Sequence, residues 1–225
     1  MTRILLIGHG RMGRLVEQLA PAHDCEIAAI IERGQAAGTV TASFDVAIDF
    51  SAADAVPATV RALAAMRRNV AIGTTGWQSR EAELREVAEL GGIGVLAAAN
   101  FSLGLNAFQL VVEEAARRFA AQAEYGAWIH EAHHVMKKDA PSGTALLLKS
   151  AMTGAGYGRA IDVSSTRAGN IPGTHTVGFD GPADTVTLTH TVRDRAVFAH
   201  GALEAAKWLR GRQGWFSMRD VIGNS

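Results

Sequence analysis

A single cysteine, Cys25, stands in 225 residues. No internal disulfide can form, so the fold has to rest on its core, and a reducing compartment is the expected setting. Net charge is missing too, because 22 Lys and Arg offset 22 Asp and Glu. That excludes bulk electrostatics as a grip on nucleic acid or on a membrane surface; any basic site must be local. Long apolar runs are also missing. The N-terminal run Ile4–Ile7 stops at Gly8, too short for a secretory segment, and nothing approaches a membrane span. A soluble, cytoplasmic protein is expected. What is present is an ordinary mixture, 48% apolar and 20% charged, in a chain able to bury about 70% of its unfolded surface. That length fits one large domain or two small ones.

The front of the chain alternates short apolar runs with helical periodicity. Strands are predicted at Arg3–Ile7, Glu26–Ile31, Val46–Phe50, Asn69–Ile72 and Gly94–Ala97. Helices are predicted at Met12–Ala22, Ala53–Met66, Arg80–Leu90 and Leu105–Ala120. This is the signature of βαβ units and a parallel sheet. After about residue 120 the pattern changes. Strands are predicted at Ala127–Glu131, Arg159–Arg167, Thr174–Phe179, Asp184–Val192 and Val197–Ala199, with helices at Gly143–Met152 and Leu203–Leu209. Thr185–Thr191 alternates with period two, as a half-buried antiparallel strand does. The expected fold is therefore α/β: a Rossmann-like parallel-sheet domain over 1–103 and 203–225, with an inserted α+β domain over 104–202. The inserted sheet should be mixed and largely antiparallel. Between Glu32 and Val46 only thirteen residues remain, so one crossover should be reduced to a loop.

Gly8-His9-Gly10-Arg11-Met12-Gly13 is G-x-G-x-x-G at the end of the first strand and the mouth of the first helix. Glycines there let backbone N–H groups approach a pyrophosphate at the positive helix end. Arg11 can add charge-assisted contacts. Glu32, nineteen positions after Gly13, can accept from ribose hydroxyls, whereas its neighbour Arg33 could hold a 2′-phosphate. NADH and NADPH both stay open. Gly73-Thr74-Thr75 and Ala98-Ala99-Asn100-Phe101 follow two further strands, where ligands bind in open α/β sheets. Each taken alone could be an ordinary loop.

His130-Glu131-Ala132-His133-His134 matches the H-E-x-x-H pattern of zinc proteases. That chemistry needs a helix, and Ala123–Ile129 has no apolar stripe at helical spacing. On a strand, His130 and His134 would lie roughly 13 Å apart, too far to share a zinc ion. No metal site is expected. The alternative is a cationic pocket: His133, His134, Lys137 and Lys138 oppose only Asp139. Ser142 can cap the next helix, and the amides of Gly143 and Thr144 form an anion-binding nest. Histidine titrates near working pH and can pass a proton. A basic surface loop is the plain alternative.

These segments resemble the 4-hydroxy-tetrahydrodipicolinate reductase family, also called dihydrodipicolinate reductase. The resemblance rests on Glu131-Ala132-His133-His134, Lys137, Asp139 and Pro141-Ser142-Gly143-Thr144-Ala145. It extends to the glycine turn, to 73–76 and 98–101, to Arg167-Ala168-Gly169 with Pro172–His175, and to Met218–Val221. It implies reduction of a cyclic imine dicarboxylate by NADH or NADPH, in the diaminopimelate route to lysine. His133 would then be the proton donor and acceptor, and Lys137 a proton donor. His134, Ser142, Gly143 and Thr144 would bind substrate. The resemblance also implies a homotetramer built through the second domain's sheet. A reductase of another imine or carbonyl dicarboxylate, or a non-catalytic nucleotide sensor, are the competing readings.

Overall fold

The computed structural model describes residues 1–223 and divides into two compact units, Met1–Leu103 with Ala196 onward, and Gly104–Arg195. The first unit is a six-stranded, wholly parallel sheet. Its strands are β1 (Thr2–Ile7), β2 (Cys25–Ile31), β3 (Val46–Asp49), β4 (Asn69–Ile72), β5 (Gly94–Ala97) and β10 (Gly214–Phe216), in the order β10-β5-β4-β3-β1-β2. Strand alternation sorts the core into two layers. Ile4, Leu6, Val46 and Ile48 face the helices α1 (Arg11–Leu19), α6 (Ala196–Leu209) and α7 (Met218–Gly223). Leu5, Ile7, Ala47 and Val70 face α2 (Val56–Ala65) and α3 (Glu81–Gly91). Both faces are covered, which is why these strands read as continuous apolar runs.

The connection from β2 to β3 passes across β1, because β2 and β3 flank β1 on opposite sides. It contains only a short 3₁₀ turn at Ala37–Thr39. In place of a crossover helix, Ala37 and Phe44 bury themselves against the α2 and α3 layer. Two loop side chains supply apolar cover that a helix would otherwise give.

The second unit is a four-stranded mixed sheet in the order β7-β6-β8-β9. Its strands are β6 (Gly126–His133), β7 (Ile161–Arg167), β8 (Thr174–Asp180) and β9 (Thr185–Thr191). β6 pairs parallel with β7 and antiparallel with β8, and β8 antiparallel with β9. Helices α4 (Leu103–Ala120) and α5 (Gly143–Gly154) pack on one face through Val112, Ala116, Leu148 and Met152. The other face carries Trp128, His130 and a run of threonines. There Thr174 meets Thr191 at 3.2 Å and Thr176 meets Thr189 at 3.0 Å.

The structure departs from expectation in four places. Val197–Ala199 is not a strand but the opening of α6, which starts at Ala196 rather than Leu203. Val197 and Phe198 favour strands locally, yet Ala199, Ala202, Leu203, Ala206 and Leu209 make a buried helical stripe that overrides them. The unit boundary accordingly falls at Ala196, seven residues before the expected return of the chain. β10 and α7 were not anticipated. β10 is only three residues long and starts at a glycine with φ +120°. Finally, β6 runs two residues further than expected, through His133.

Candidate active site

In the first unit the glycine turn lies where β1 hands over to α1. Gly8 has φ +92°, and a methyl on it would stand 2.4 Å from the Phe50 carbonyl oxygen. A methyl on Gly13 would stand 2.1 Å from the Gly8 carbonyl oxygen. Both are glycine because backbone passes too close for a side chain. Gly10 differs: it is the N-cap of α1, makes no side-chain cap bond, and faces open space within 4 Å. The first amides of α1 thus open onto a bare cradle, which fits the pyrophosphate of a dinucleotide.

Around this cradle, His9 contacts Glu17 at 2.7 Å and lies 3.8 Å from Glu32. Glu32 and Arg33 follow β2, both exposed. The segments 73–75 and 98–101 follow β4 and β5 at the carboxyl edge of the sheet, as expected. Two of their side chains turn inward. Phe101 is 2% exposed and packs edge-on against Phe50, so it belongs to the core and leaves only backbone for a ligand. Thr74 donates its hydroxyl to Asp49 at 2.8 Å. Asp49 is fully buried and also accepts from the Ser51 amide and hydroxyl. Burial raises its pKa despite those bonds. Sequence reading missed Asp49, which pins the loop holding Thr74.

The second unit builds its site from side chains. β6 alternates, so Ala127, Ile129, Glu131 and His133 share the face covered by helices. Register brings two more residues onto that face: Arg167 stands beside His133 on β7, and His175 opposite Glu131 on β8. Glu131 is fully buried. One oxygen, Oε2, lies 2.5 Å from His133 Nδ1 and accepts from Arg167 at 2.8 Å. The other accepts from Arg167 at 2.7 Å and from the Ser142 amide at 3.1 Å. Burial would raise this carboxyl, but hydrogen bonds from Arg167, Ser165, His133 and Ser142 win and hold it at about 2.

Arg167 also donates to the Asp139 carbonyl at 2.6 Å, tying down the loop that leads into α5. Ser142 caps α5 as expected, its Oγ accepting from the Ala145 amide at 3.1 Å. The same hydroxyl lies 3.0 Å from His175 Nε2, and His175 Nδ1 is buried with no hydrogen-bond partner among the described residues. Burial, and then the neighbouring His133, push its pKa down to about 4. His133 is also lowered, by burial first, against the opposite pull of Glu131.

Lys137 lies in the loop after β6, and both carboxylate oxygens of Asp139 grip its ammonium, at 2.8 and 2.9 Å. The expected cationic hollow is thus partly self-neutralised. That pairing, with the Gly143 amide also bonded to Asp139, lowers the Asp139 pKa, the Lys137 bond counting most. His134 is the first residue beyond β6, and Lys138 is exposed. Gly143 carries nothing within 4 Å of where a Cβ would be, while its amide at the helix mouth already serves Asp139.

His130 sits on the strand, not a helix, so H-E-x-x-H is a coincidence of letters. Glu131, His133 and His175 do bring ligand atoms within 4.8 Å of one another. Both Glu131 oxygens already accept from Arg167, one of them from the Ser142 amide as well, and that guanidinium at 2.7 Å opposes a cation there. Sequence reading missed Glu131, Arg167 and His175. The signal for Glu131 was period two: a strand carried two residues further puts 131 and 133 side by side.

Comparison with known proteins covers nearly the whole chain. Residues 2–101 match the family model for the dihydrodipicolinate reductase N-terminus, and residues 104–222 match that for its C-terminus. A protein of Christiangramia forsetii named 4-hydroxy-tetrahydrodipicolinate reductase is 34% identical over 233 residues, covering 98% of each chain. One of Laribacter hongkongensis with the same name is 37% identical over 265 residues, again 98% of each. Among solved structures, a dipicolinate-bound dihydrodipicolinate reductase from Paenisporosarcina matches with TM-score 0.84 at 20% identity, covering 99% of both chains. A probable dehydrogenase from Thermotoga maritima matches with TM-score 0.65 at 11% identity, covering 98% of this chain and 92% of that one, a likeness of fold alone. The chain belongs to the dihydrodipicolinate reductase family.

Proposed function

We propose, with that membership as premise, that the protein reduces 4-hydroxy-tetrahydrodipicolinate to tetrahydrodipicolinate with NADH or NADPH, in the diaminopimelate route to lysine. The first unit, 1–103 and 196 onward, takes the role of dinucleotide-binding domain. The second takes that of substrate-binding and assembly domain. The observation that carries the reading is one juxtaposition in the second unit. A histidine backed by a carboxylate, an ammonium and a capped helix mouth stand at one end of one sheet. A doubly negative ring is what such a set of groups recognises.

A bound reduced nicotinamide supplies hydride to the carbon freed by loss of the 4-hydroxyl as water. His133 passes a proton to the neighbouring carbon, and Lys137 serves as a second proton donor once a substrate carboxylate competes with Asp139 for it. Gly143 and Thr144 hold one carboxylate through backbone amides and the Thr144 hydroxyl, the substrate replacing Asp139 at the Gly143 amide, with His134 and Ser142 beside them. The bare Gly10 cradle holds the dinucleotide phosphates with Gly8, His9, Arg11, Met12 and Gly13. Glu32 and Arg33 lie on the ribose side; backbone at Gly73–Thr75 and Ala98–Phe101 lines the nicotinamide side.

Assembly as a homotetramer is supported by the second sheet face, where Trp128 and paired threonines have no helix of their own unit over them. A cytoplasmic location is supported by Cys25, buried and unpaired, and by the absence of any membrane-crossing helix among the described residues. The test is a coupled assay of the purified chain, with the cyclic substrate made in situ and both reduced cofactors compared by absorbance. Substrate-dependent oxidation of at least one cofactor is expected; oxidation of neither overturns the reading.

A further inference from the structure

We propose that Glu131 is a positioning residue that fixes His133 in one tautomer, turns its Nε2 to the substrate, and joins that ring rigidly to the mouth of α5. The inference rests on the reading of His133 as the proton-transfer group, and deepens it.

A carboxylate can only accept, so the 2.5 Å contact from His133 Nδ1 to Glu131 Oε2 places a proton on Nδ1. The reacting nitrogen is then Nε2, bare when the ring is neutral and carrying the transferable proton when it is charged. The space beside Nε2 is kept by Gly173. A methyl there would lie 3.1 Å from Nε2 and 3.3 Å from Cδ2, and the residue has φ +144°, open to glycine alone.

Arg167 makes this arrangement reversible. Its two bonds neutralise the carboxylate behind the ring, so Glu131 orients His133 without trapping it as a permanent cation. The charged and titratable groups facing His133 are Glu131, Arg167, His175 and Lys137, and only Glu131 pulls a proton onto it strongly. His175 lies 3.0 Å from the Ser142 hydroxyl and, with its pKa pushed down to about 4, holds no spare proton near neutral pH and is no rival donor.

The second oxygen of Glu131 extends the argument. It accepts from the Ser142 amide at 3.1 Å, at the N-cap of α5. One buried carboxylate therefore sets both the proton donor and the start of the proposed carboxylate nest. An Arg167–Glu131 pair alone would satisfy the fold; the bonds to His133 and Ser142 tie it to the site.

The first test needs no variant. Nitrogen-15 NMR of the full chain should find neutral His133 protonated on Nδ1 and bare on Nε2; the reverse tautomer overturns the proposal. The second test is Glu131→Gln, checked for an intact thermal transition. Its kcat should fall about 10²-fold, the lower end of what a positioned proton-transfer group contributes. The alkaline limb of kcat/KM, where His133 loses the proton it has to donate, should move to lower pH, because the charge that raises His133 is gone. A purely structural role would leave that limb in place. If the variant does not fold, the wild-type tautomer decides. Near-normal turnover of His133→Gln would remove the underlying reading instead. An inactive His133→Gln beside a Glu131→Gln of wild-type rate and unmoved limb would remove only the positioning role.

Discussion

The two units make their sites from opposite materials. The first offers backbone: amides at the mouth of α1, bare because Gly10 has no side chain, with Gly8 and Gly13 glycine because carbonyl oxygens pass within 2.4 and 2.1 Å of where a methyl would stand. The second offers side chains from β6, β7, β8 and a capped helix, held by a buried Glu131–Arg167 pair. A backbone cradle suits phosphate chemistry shared by every dinucleotide, so it can be built from one local turn. A pocket that moves protons has to tune individual groups, so it draws on several strands and depends on their register. One site should be broken by adding atoms, the other by removing charges or hydrogen bonds.

The largest expected effect is in the second unit. His133→Gln should lower kcat by about 10²-fold or more while leaving nucleotide affinity alone; steady-state kinetics beside nucleotide titration check both halves. Next, Gly10→Ala puts a methyl into open space and should leave the thermal transition unchanged. It should weaken reduced-nucleotide binding about tenfold, the value of one charge-assisted backbone bond, read by fluorescence titration. Unaltered affinity would break the claim that the first site is a backbone cradle. Thr144→Ala should raise KM for the cyclic substrate about fivefold, with little change in kcat, since it removes one hydroxyl from the nest.

The smallest effect concerns stability. The folded chain holds His175 neutral down to about 4, whereas the unfolded chain titrates it near the ordinary 6.5. Unfolded protein therefore binds a proton that folded protein refuses, and stability falls as pH drops from about 6.5 to about 4. His133 acts in the same direction. Glu131 works lower: held at about 2 against an ordinary 4.5, its stabilisation is complete above about 4.5 and fades towards 2. Scanning calorimetry should find Tm declining through the upper window. His175→Gln should flatten that decline by a few °C, and an unchanged slope would clear His175 of the effect.

The contrast also explains what could be read from residue order. The glycine turn, the strands it follows and the Ser142 cap are local patterns, and each lies where its spacing places it. At α7 the bonding is also local but reversed, with Asp220 accepting from the Ser217 amide at 2.7 Å and hydroxyl at 2.9 Å, a pattern passed over because the segment is so short. Arg167 and His175 are 36 and 44 positions from Glu131, and only strand register makes them neighbours. Lys137 looked like one of four cationic groups set against Asp139, yet Asp139, two residues on, doubles back onto it. Val197 and Phe198 misled because local strand preference yielded to a buried stripe that extends to Leu209.

The division of labour can be tested in one titration series: dipicolinate, a planar dicarboxylate, added by calorimetry to the full chain at saturating reduced nucleotide. One molecule should bind per chain, with affinity that falls as salt rises and drops several-fold in Thr144→Ala, yet stays the same in Gly10→Ala once nucleotide is saturating. Affinity indifferent to salt and to Thr144, or lost with Gly10→Ala under those conditions, would contradict the account.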